Sequence, residues 1–446
     1  MRKMQIIAAA IVLLCSCSKD AIKEDAFCLF DDKALPSVSV NIHEAEWQRL
    51  LDFYDKDSRT KEYIHCDVTF SQGARAYRLN DVGLRLRGQT SRRRPVGRSG
   101  GYRHFHFGLH FRKFDEDSKQ EIDGHRRINF KYAKEDPTYI REHYCHDLMA
   151  RFGVWTAPKS SWCRLWLNVG ENDPLYYGVY LMNESIDKQY LKRRPGFGSR
   201  EGFLWKCAWG ANLRDKDSWR FHLDDNSPDT YAYELKDDDP VAFEAAKDQL
   251  KDFITNLNTL KGDLFVNWIK QVCDVSLLLK TYAVIVAVGH WDDYWNDMNN
   301  FYIYFNTRET SSYRFYMIPF DYDNTLGTST HCGVQSDSGR QSPYNWGLKE
   351  CTLMSKILSV KEFRDEYTLY LKALGAEDSP FSYSQSNGRI AAWQGLIGPW
   401  LENVTGEDQQ LRDRPASWGN HSEYRLLQDG KNNWFRVKSE VLNSLK

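Results

Sequence analysis

The spacing of apolar residues changes near residue 240, and that switch limits the folds open to this chain. Before it, Val82, Leu84 and Leu86 alternate with Gly83, Arg85 and Arg87, and Phe105, Phe107, Leu109 and Phe111 alternate with His106, Gly108 and His110. A period of two buries one face of a strand and leaves the other to polar groups, here a cationic set. From Val241 onward the apolar positions recur with helical spacing, over 243–260, 263–288, 353–374 and 432–445,. Further strands are predicted at 38–42, 63–70, 126–131, 162–169, 177–182, 203–206, 301–305 and 313–318, with one early helix starting at Asp136-Pro137 and stopped by Gly153, and loop over 212–240,. The expectation is an α+β protein with a strand-rich N-terminal part, 37–240, and a helix-rich C-terminal part, 241–446.

The first residues read as a targeting device. Arg2 and Lys3 precede an apolar run from Ile6 to Leu14, too short to span a bilayer,. The run ends in Leu14-Cys15-Ser16-Cys17, a lipobox-like pattern with Cys17 as the acylated residue,. Residues 1–17 are thus expected to be a lipoprotein signal and 18–36 a charged, flexible tether. Ser18 gives no inner-membrane retention signal, and Lys19, Asp20, Lys23, Glu24 and Asp25 resemble the short charged signal that sends some lipoproteins to the cell surface. The expected place is extracytoplasmic, lipid-anchored to the outer membrane on either its periplasmic or its cell-surface side, with membrane contact through the lipid only. With 60 Lys+Arg against 61 Asp+Glu there is no global field to recruit nucleic acid,. The cysteines form no C-x-x-C pair, which argues against a zinc ribbon or thioredoxin motif and leaves disulfides and free thiols equally open,. His143, Cys145, His146 and Asp147 do not share one face of a helix and are read as structural rather than as a metal site.

Chemistry concentrates in His290-Trp291-Asp292-Asp293-Tyr294-Trp295-Asn296-Asp297-Met298-Asn299-Asn300, followed by two strands and Phe320-Asp321-Tyr322-Asp323. Phosphoryl transfer requires a carboxylate to accept the hydroxyl proton, and an amide and a second carboxylate to hold a divalent cation against phosphates. A hairpin would return the second carboxylate to the first. The same residues have a plainer reading, in which Asp292 and Asp293 cap a turn after Gly289 and Asp321 and Asp323 close a hairpin.

Taken together, Trp291-Asp292, Asn300-Phe301-Tyr302-Ile303-Tyr304, Pro319-Phe320-Asp321-Tyr322-Asp323 and Gly327 resemble, in order, the core motifs of the CotH (spore-coat protein H) kinase family. Leu84-Arg85-Leu86-Arg87-Gly88-Gln89-Thr90-Ser91 is similar to that family's arginine-glycine signature. Lys134-Glu135-Asp136-Pro137 running into Ile140-Arg141-Glu142, Gly178-Val179-Tyr180 leading to Glu184, and Gly202-Phe203-Leu204-Trp205-Lys206 are also similar. The resemblance covers about residues 80 to 330. It implies an atypical protein-kinase-like, two-lobed fold that transfers phosphoryl from ATP, with Mg2+ or Mn2+, to a hydroxyl on a protein or glycan. By that resemblance Asp292 would be the catalytic aspartate and Asn300 a metal ligand, with Asp321 or Asp323 the metal-binding aspartate. Lys131 and Glu142 would clamp the nucleotide phosphates with Lys206 as the competing lysine, and Arg85 and Arg87 would meet phosphate oxygens.

The sequence departs from ordinary kinases. It has no G-x-G-x-x-G loop, although 97–101 offers another cover for phosphates, and Asn300 and Asn296 stand eight and four residues after Asp292. Where related sequences often carry lysine before Phe107, Arg103-His104 stands instead. The alternative function is a non-catalytic surface module that binds a glycan or protein through Trp205, Trp209, Trp291 and Trp295. A third is a hydrolase using Asp292 and Asp321.

Overall fold

The computed structural model describes residues 27–446 apart from 135, 215–219, 224–230, 238, 311, 329–337, 408–409, 414–415, 418–419 and 422–423. The signal segment, Cys17 and most of the tether lie outside the described residues.

The alternating first part folds into β1 (Ser37–Ile42), β2 (Ile64–Gln72), β3 (Arg75–Leu86), β4 (Phe107–His110), β5 (Arg127–Lys131), β6 (Ser160–Val169) and β7 (Leu175–Glu184). These close into a barrel in the order β1-β2-β3-β4-β5-β7-β6. Closure was not legible in the alternation, because it depends on β1 pairing in parallel with β6, Val38 opposite Leu165 and Val40 opposite Leu167. Closing leaves this sheet no free edge. Val40, Val68, Leu84, Leu86, Phe107, Leu109, Ile128, Phe130 and Met182 point inward and are buried. A helix absent from the sequence reading, α1 (Glu44–Lys56), adds Trp47, Leu50 and Leu51 to the same core.

The second body mixes segments from both sides of residue 240. Its sheet runs in the order β12-β11-β8-β10-β9, where β8 is Phe203–Cys207, β9 Phe221–Leu223, β10 Tyr233–Leu235, β11 Phe301–Phe305 and β12 Phe315–Pro319. Thus 212–240, expected as loop, contributes two short strands. Around this sheet pack α4 (Pro240–Thr259), α5 (Gly262–Val272), α6 (Val275–Val288), α8 (Thr352–Ser359), α9 (Lys361–Gly375), α10 (Tyr383–Ile397) and α11 (Trp434–Asn443); shorter helices are α3 (Lys188–Lys192) and α7 (Tyr294–Asp297). α2 (Arg141–Arg151) joins this core through Tyr144, Leu148 and Met149.

Three helix expectations are corrected. The expected helix 263–288 is two, because Cys273 is extended and bridges to Phe315 while Asp274 caps α6 by accepting from the Leu277 amide at 3.0 Å,. Extended Val360 likewise divides 353–374. α2 begins at Arg141 rather than at Pro137, because Asp136 organises a turn, accepting from the Thr138 amide at 3.1 Å and the Arg141 amide at 3.3 Å,. α10 escaped the sequence reading, since Gly388 and Gly395 interrupt its weak stripe. The described cysteines are free thiols, and among the described residues no helix is long and apolar enough to cross a membrane.

Glu184, at the end of β7, ties the barrel to the segment leading into the second body. It accepts from Arg194 at 2.6 and 3.0 Å and from Arg193 at 2.8 Å, with its side chain almost fully buried. Burial alone would raise its carboxyl, but His125 and the two guanidinium groups hold it well below the usual carboxylate range,. A depressed carboxyl stabilises the fold above its unfolded pKa and loses that contribution as pH falls through the folded value. Glu184→Ala should therefore cost about 3–5 kcal/mol at pH 7 in urea unfolding, with the difference from the parent shrinking below about pH 4.

Candidate active site

α6 is buried on nearly every side and stops at Gly289, whose φ of +67° is the left-handed conformation that closes a helix,. A Cβ there would lie 2.6 Å from the Trp434 ring, so the stop and the close packing both call for glycine. The loop that follows is pinned from behind. Trp346 donates to the His290 carbonyl at 3.1 Å and Trp291 to the Thr328 hydroxyl at 3.0 Å.

The adjacent aspartates then part. Asp293 turns inward and caps α7, accepting from the Asn296 amide at 2.9 Å and its side chain at 3.1 Å. Asp292 turns into the cleft, where three side-chain amides donate to it: Asn299 at 3.0 Å, Asn300 at 2.9 Å and Asn324 at 3.1 Å. Burial pushes the Asp292 carboxyl up to about 8; the Asn299 bond opposes this, while Asp297, Asp321 and Asp323 add to it,. Met298, Asn300 and Asp321 all have left-handed backbone, with φ of +52°, +54° and +64°. Asn and Asp tolerate that region readily, whereas Met298 is strained and marks the loop as held in shape by its surroundings.

Across from Asp292, the Lys131 ammonium at the end of β5 meets three carboxylates. Glu142 on α2 lies 2.6 Å away, Asp321 2.5 Å and Asp323 3.4 Å. Burial disfavours the ammonium, but the three negative groups outweigh it and hold the lysine pKa well above its ordinary value. Glu142 is pushed up by burial and by the neighbouring aspartates against the pull of Lys131. Asp323 is pushed up by burial and drawn down further by Lys131, Arg141 and His106.

These groups line one cleft of about 310 Å³. Every cleft residue expected from the sequence is there: Arg85, Arg87, Lys131, Glu142, Lys206, Asp292, Asn300, Asp321 and Asp323. The two lysines stand in different surroundings. Lys131 carries the glutamate pair, while the Lys206 ammonium stands 5.6 Å from the Phe320 ring centroid and is lowered to about 8 by burial. Other expectations fail. Residues 97–101 form a tight reversal, Gly97 donating to the Gly101 carbonyl at 2.8 Å, and the segment bordering the cleft is 88–92. Asn296 serves Asp293 rather than the cleft. The aromatic platform of the binding-module reading does not form, because Trp205, Trp291 and Trp295 are core residues and only Trp209 of that set is exposed. His143 and His146 both contact the Ser160 hydroxyl, and Cys145 reaches Thr325.

Asn299, Asn324, Arg141 and Arg127 were missed as cleft residues. The first two had a signal in hindsight, since each is the chain neighbour of a residue already singled out, Asn300 and Asp323. Arg127 had none beyond its place on a strand.

The donor set suits a hard cation. Asn300 gives its amide nitrogen to the Asp292 carboxylate and carbonyl, which leaves its oxygen for another partner, and Asp321 and Asp323 add carboxylates,. Among the described residues no three His, Cys, Asp or Glu side chains form a ready-made cage.

A family model described as CotH kinase protein matches residues 84–431. The chain belongs to the CotH kinase family, and that membership suggests a kinase-like function. The match runs a hundred residues beyond the motifs near 330 and takes in α8 to α10. No curated protein matches the chain.

Removing Lys131 leaves three acids facing one another. Lys131→Met should destabilise the protein at pH 7 by about 2 kcal/mol, less than for a fully buried pair because Asp321 and Asp323 are partly exposed. Without the ammonium the carboxyls rise above their unfolded pKa values, so the penalty is present above that range and should fade as pH drops toward about 4. Thermal melts of parent and variant across pH would show it.

Proposed function

We propose that this protein is an atypical kinase, two-lobed in layout with the barrel as one lobe and the helical body as the other, that transfers the terminal phosphoryl of ATP to a hydroxyl of a protein or glycan. The observation that carries this reading is the meeting of Lys131, Glu142, Asp321 and Asp323 on the same cleft as an amide-held Asp292. A structural ion pair needs neither the third and fourth charges nor an aspartate presented by three asparagines.

Asn300, Asp321 and Asp323 would hold Mg2+ or Mn2+, which when bound supplies charge neutralisation for the phosphates. Lys131, positioned by Glu142, would bind phosphate oxygens and Arg87, the residue after β3, would add a guanidinium,. Asp292 accepts the proton of the attacking hydroxyl as its oxygen forms the new bond to phosphorus and the bond to the departing nucleoside diphosphate breaks. Burial supports that role, because a carboxyl held up to about 8 is a stronger base than a solvated one,. The asparagines fix its oxygens so that little reorganisation is needed when the proton arrives. The N-terminal Arg2, Lys3 and the Cys17 lipobox support a lipid-anchored, extracytoplasmic enzyme, and Ser18 with the charged residues after it supports the outer membrane, on either its periplasmic or its cell-surface side.

Isothermal titration of residues 26–446 with ATP and magnesium should show binding that requires the metal and that Asp321→Ala or Asp323→Ala abolishes. Absence of nucleotide binding at millimolar concentration would overturn the reading. Asp292→Asn should keep nucleotide affinity within about twofold yet lower phosphoryl transfer by about 10²–10⁴.

A further inference from the structure

The charged groups of the cleft answer one another, but three uncharged ones on its barrel wall do not. Alternation turns Asn129 and Lys131 of β5 outward, together with Asn183 of β7, Gly108 of β4 and His106 just before β4, and all five line the cleft,. Asn129 stands between its strand neighbours, opposite Gly108 on one side and Asn183 on the other.

His106 is 4 % exposed and Asn129 and Asn183 7 % each. None of the three side chains hydrogen-bonds a described residue, and Asn183 Oδ1 and His106 Nδ1 are sealed from solvent without a partner. The neighbouring groups differ in this respect, since Lys131 has three carboxylates and Asp292 three amides. Polar groups buried without partners are rare because nothing offsets their desolvation. Three on adjoining positions of one cleft wall mark a place where a ligand supplies the partners. The terminal torsion of an asparagine is broad, so either of its polar atoms can be turned to that ligand.

The wall is also neutral and flat. Burial, and then Lys131, push His106 well below its ordinary value against the pull of Asp323, so the ring carries no charge. It is held by stacking on Tyr132, with centroids 4.4 Å apart. Gly108 keeps the surface level, because a Cβ there would lie 2.8 Å from Arg87 Cδ and 3.4 Å from Asn129 Oδ1. Ile186, three residues beyond Asn183, is buried at the cleft edge and offers a planar ring an apolar contact.

We propose that Asn129, Asn183 and His106 form the subsite that recognises the nucleoside of the phosphoryl donor, the two asparagines pairing with the edge of its base. The assignment to the donor rests on the phosphoryl-transfer reading. A carboxamide sets a hydrogen-bond donor beside an acceptor, and a purine edge presents the matching pair, which allows two-pronged bonding. A phosphate has only acceptors to offer and would leave the asparagine carbonyl oxygens unanswered. Position agrees with this. Asn129 is two residues from Lys131, about 7 Å along the strand, so a nucleotide whose phosphates meet Lys131 reaches the asparagines with its nucleoside. The acceptor hydroxyl must instead meet Asp292, which the second body carries.

The test is titration of the full chain with ATP and with inorganic tripolyphosphate, which has the phosphates and no nucleoside, each with magnesium. Asn129→Leu should bind ATP about tenfold more weakly than the parent and tripolyphosphate equally well. Leucine has a similar volume and no polar atom to leave unanswered, so the unliganded variant should melt no lower than the parent. Equal weakening of both ligands in Asn129→Leu and in Asn129→Ala, which only removes atoms, would overturn the proposal, as would ATP binding that neither substitution changes. If the parent binds tripolyphosphate as tightly as ATP, the nucleoside subsite falls and the phosphate site stands; if it binds neither, the kinase reading falls with the subsite.

Discussion

The Lys131 ammonium is the contact on which the rest of the cleft depends. It joins the last residue of β5 in the barrel to Glu142 on α2 and to the two aspartates that follow β12. The carboxylates come from two other parts of the fold, α2 and the segment after β12, so the pairing fixes three parts of the chain relative to one another with a single charge. The arrangement is electrostatically unbalanced, one cation against three acids. Such excess negative charge is tolerable beside a basic wall and becomes favourable when a cation or a metal-bound phosphate enters.

The barrel supplies that basic wall through alternation alone. A strand that buries Leu84 and Leu86 must present Arg85 and Arg87 on its other side, and the same holds for Ile128 and Phe130 against Arg127, Asn129 and Lys131,. The second body supplies the acids by a different device, a buried helix ended by Gly289 and a hairpin, β11 to β12, that brings Asp321 back beside Asp292. Their opposition across one cleft gives a surface whose two sides differ in charge.

The alternating pattern predicted most barrel strands at nearly their observed positions, but the closure was beyond it, because the parallel pairing of β1 with β6 joins residues more than a hundred positions apart. Segments 221–223 and 233–235 were too short and polar-flanked to announce strands, and became so only when 233–235 paired with β8 and 221–223 with 233–235. Helix breaks at Cys273 and Val360 were hidden because apolar spacing continues through them, while the backbone departs to make a bridge or a turn. The tryptophans show the same limit from the other side: the alternative reading took Trp205, Trp209, Trp291 and Trp295 as a binding surface, and packing spent Trp205, Trp291 and Trp295 on the core.

The sequence by itself determined the class of fold, the family, and the residue types and order of the chemistry, since periodicity and short motifs are local and survive without knowledge of contacts. Only the tertiary structure decided which of two neighbouring aspartates faces the cleft, which of two lysines meets Glu142, and that Asn299 and Asn324 join Asn300 on Asp292. Those choices turn on which way a side chain points and on partners far away in the chain. Direction is set by strand register, helix stops and capping bonds, none of which a single stretch of residues contains.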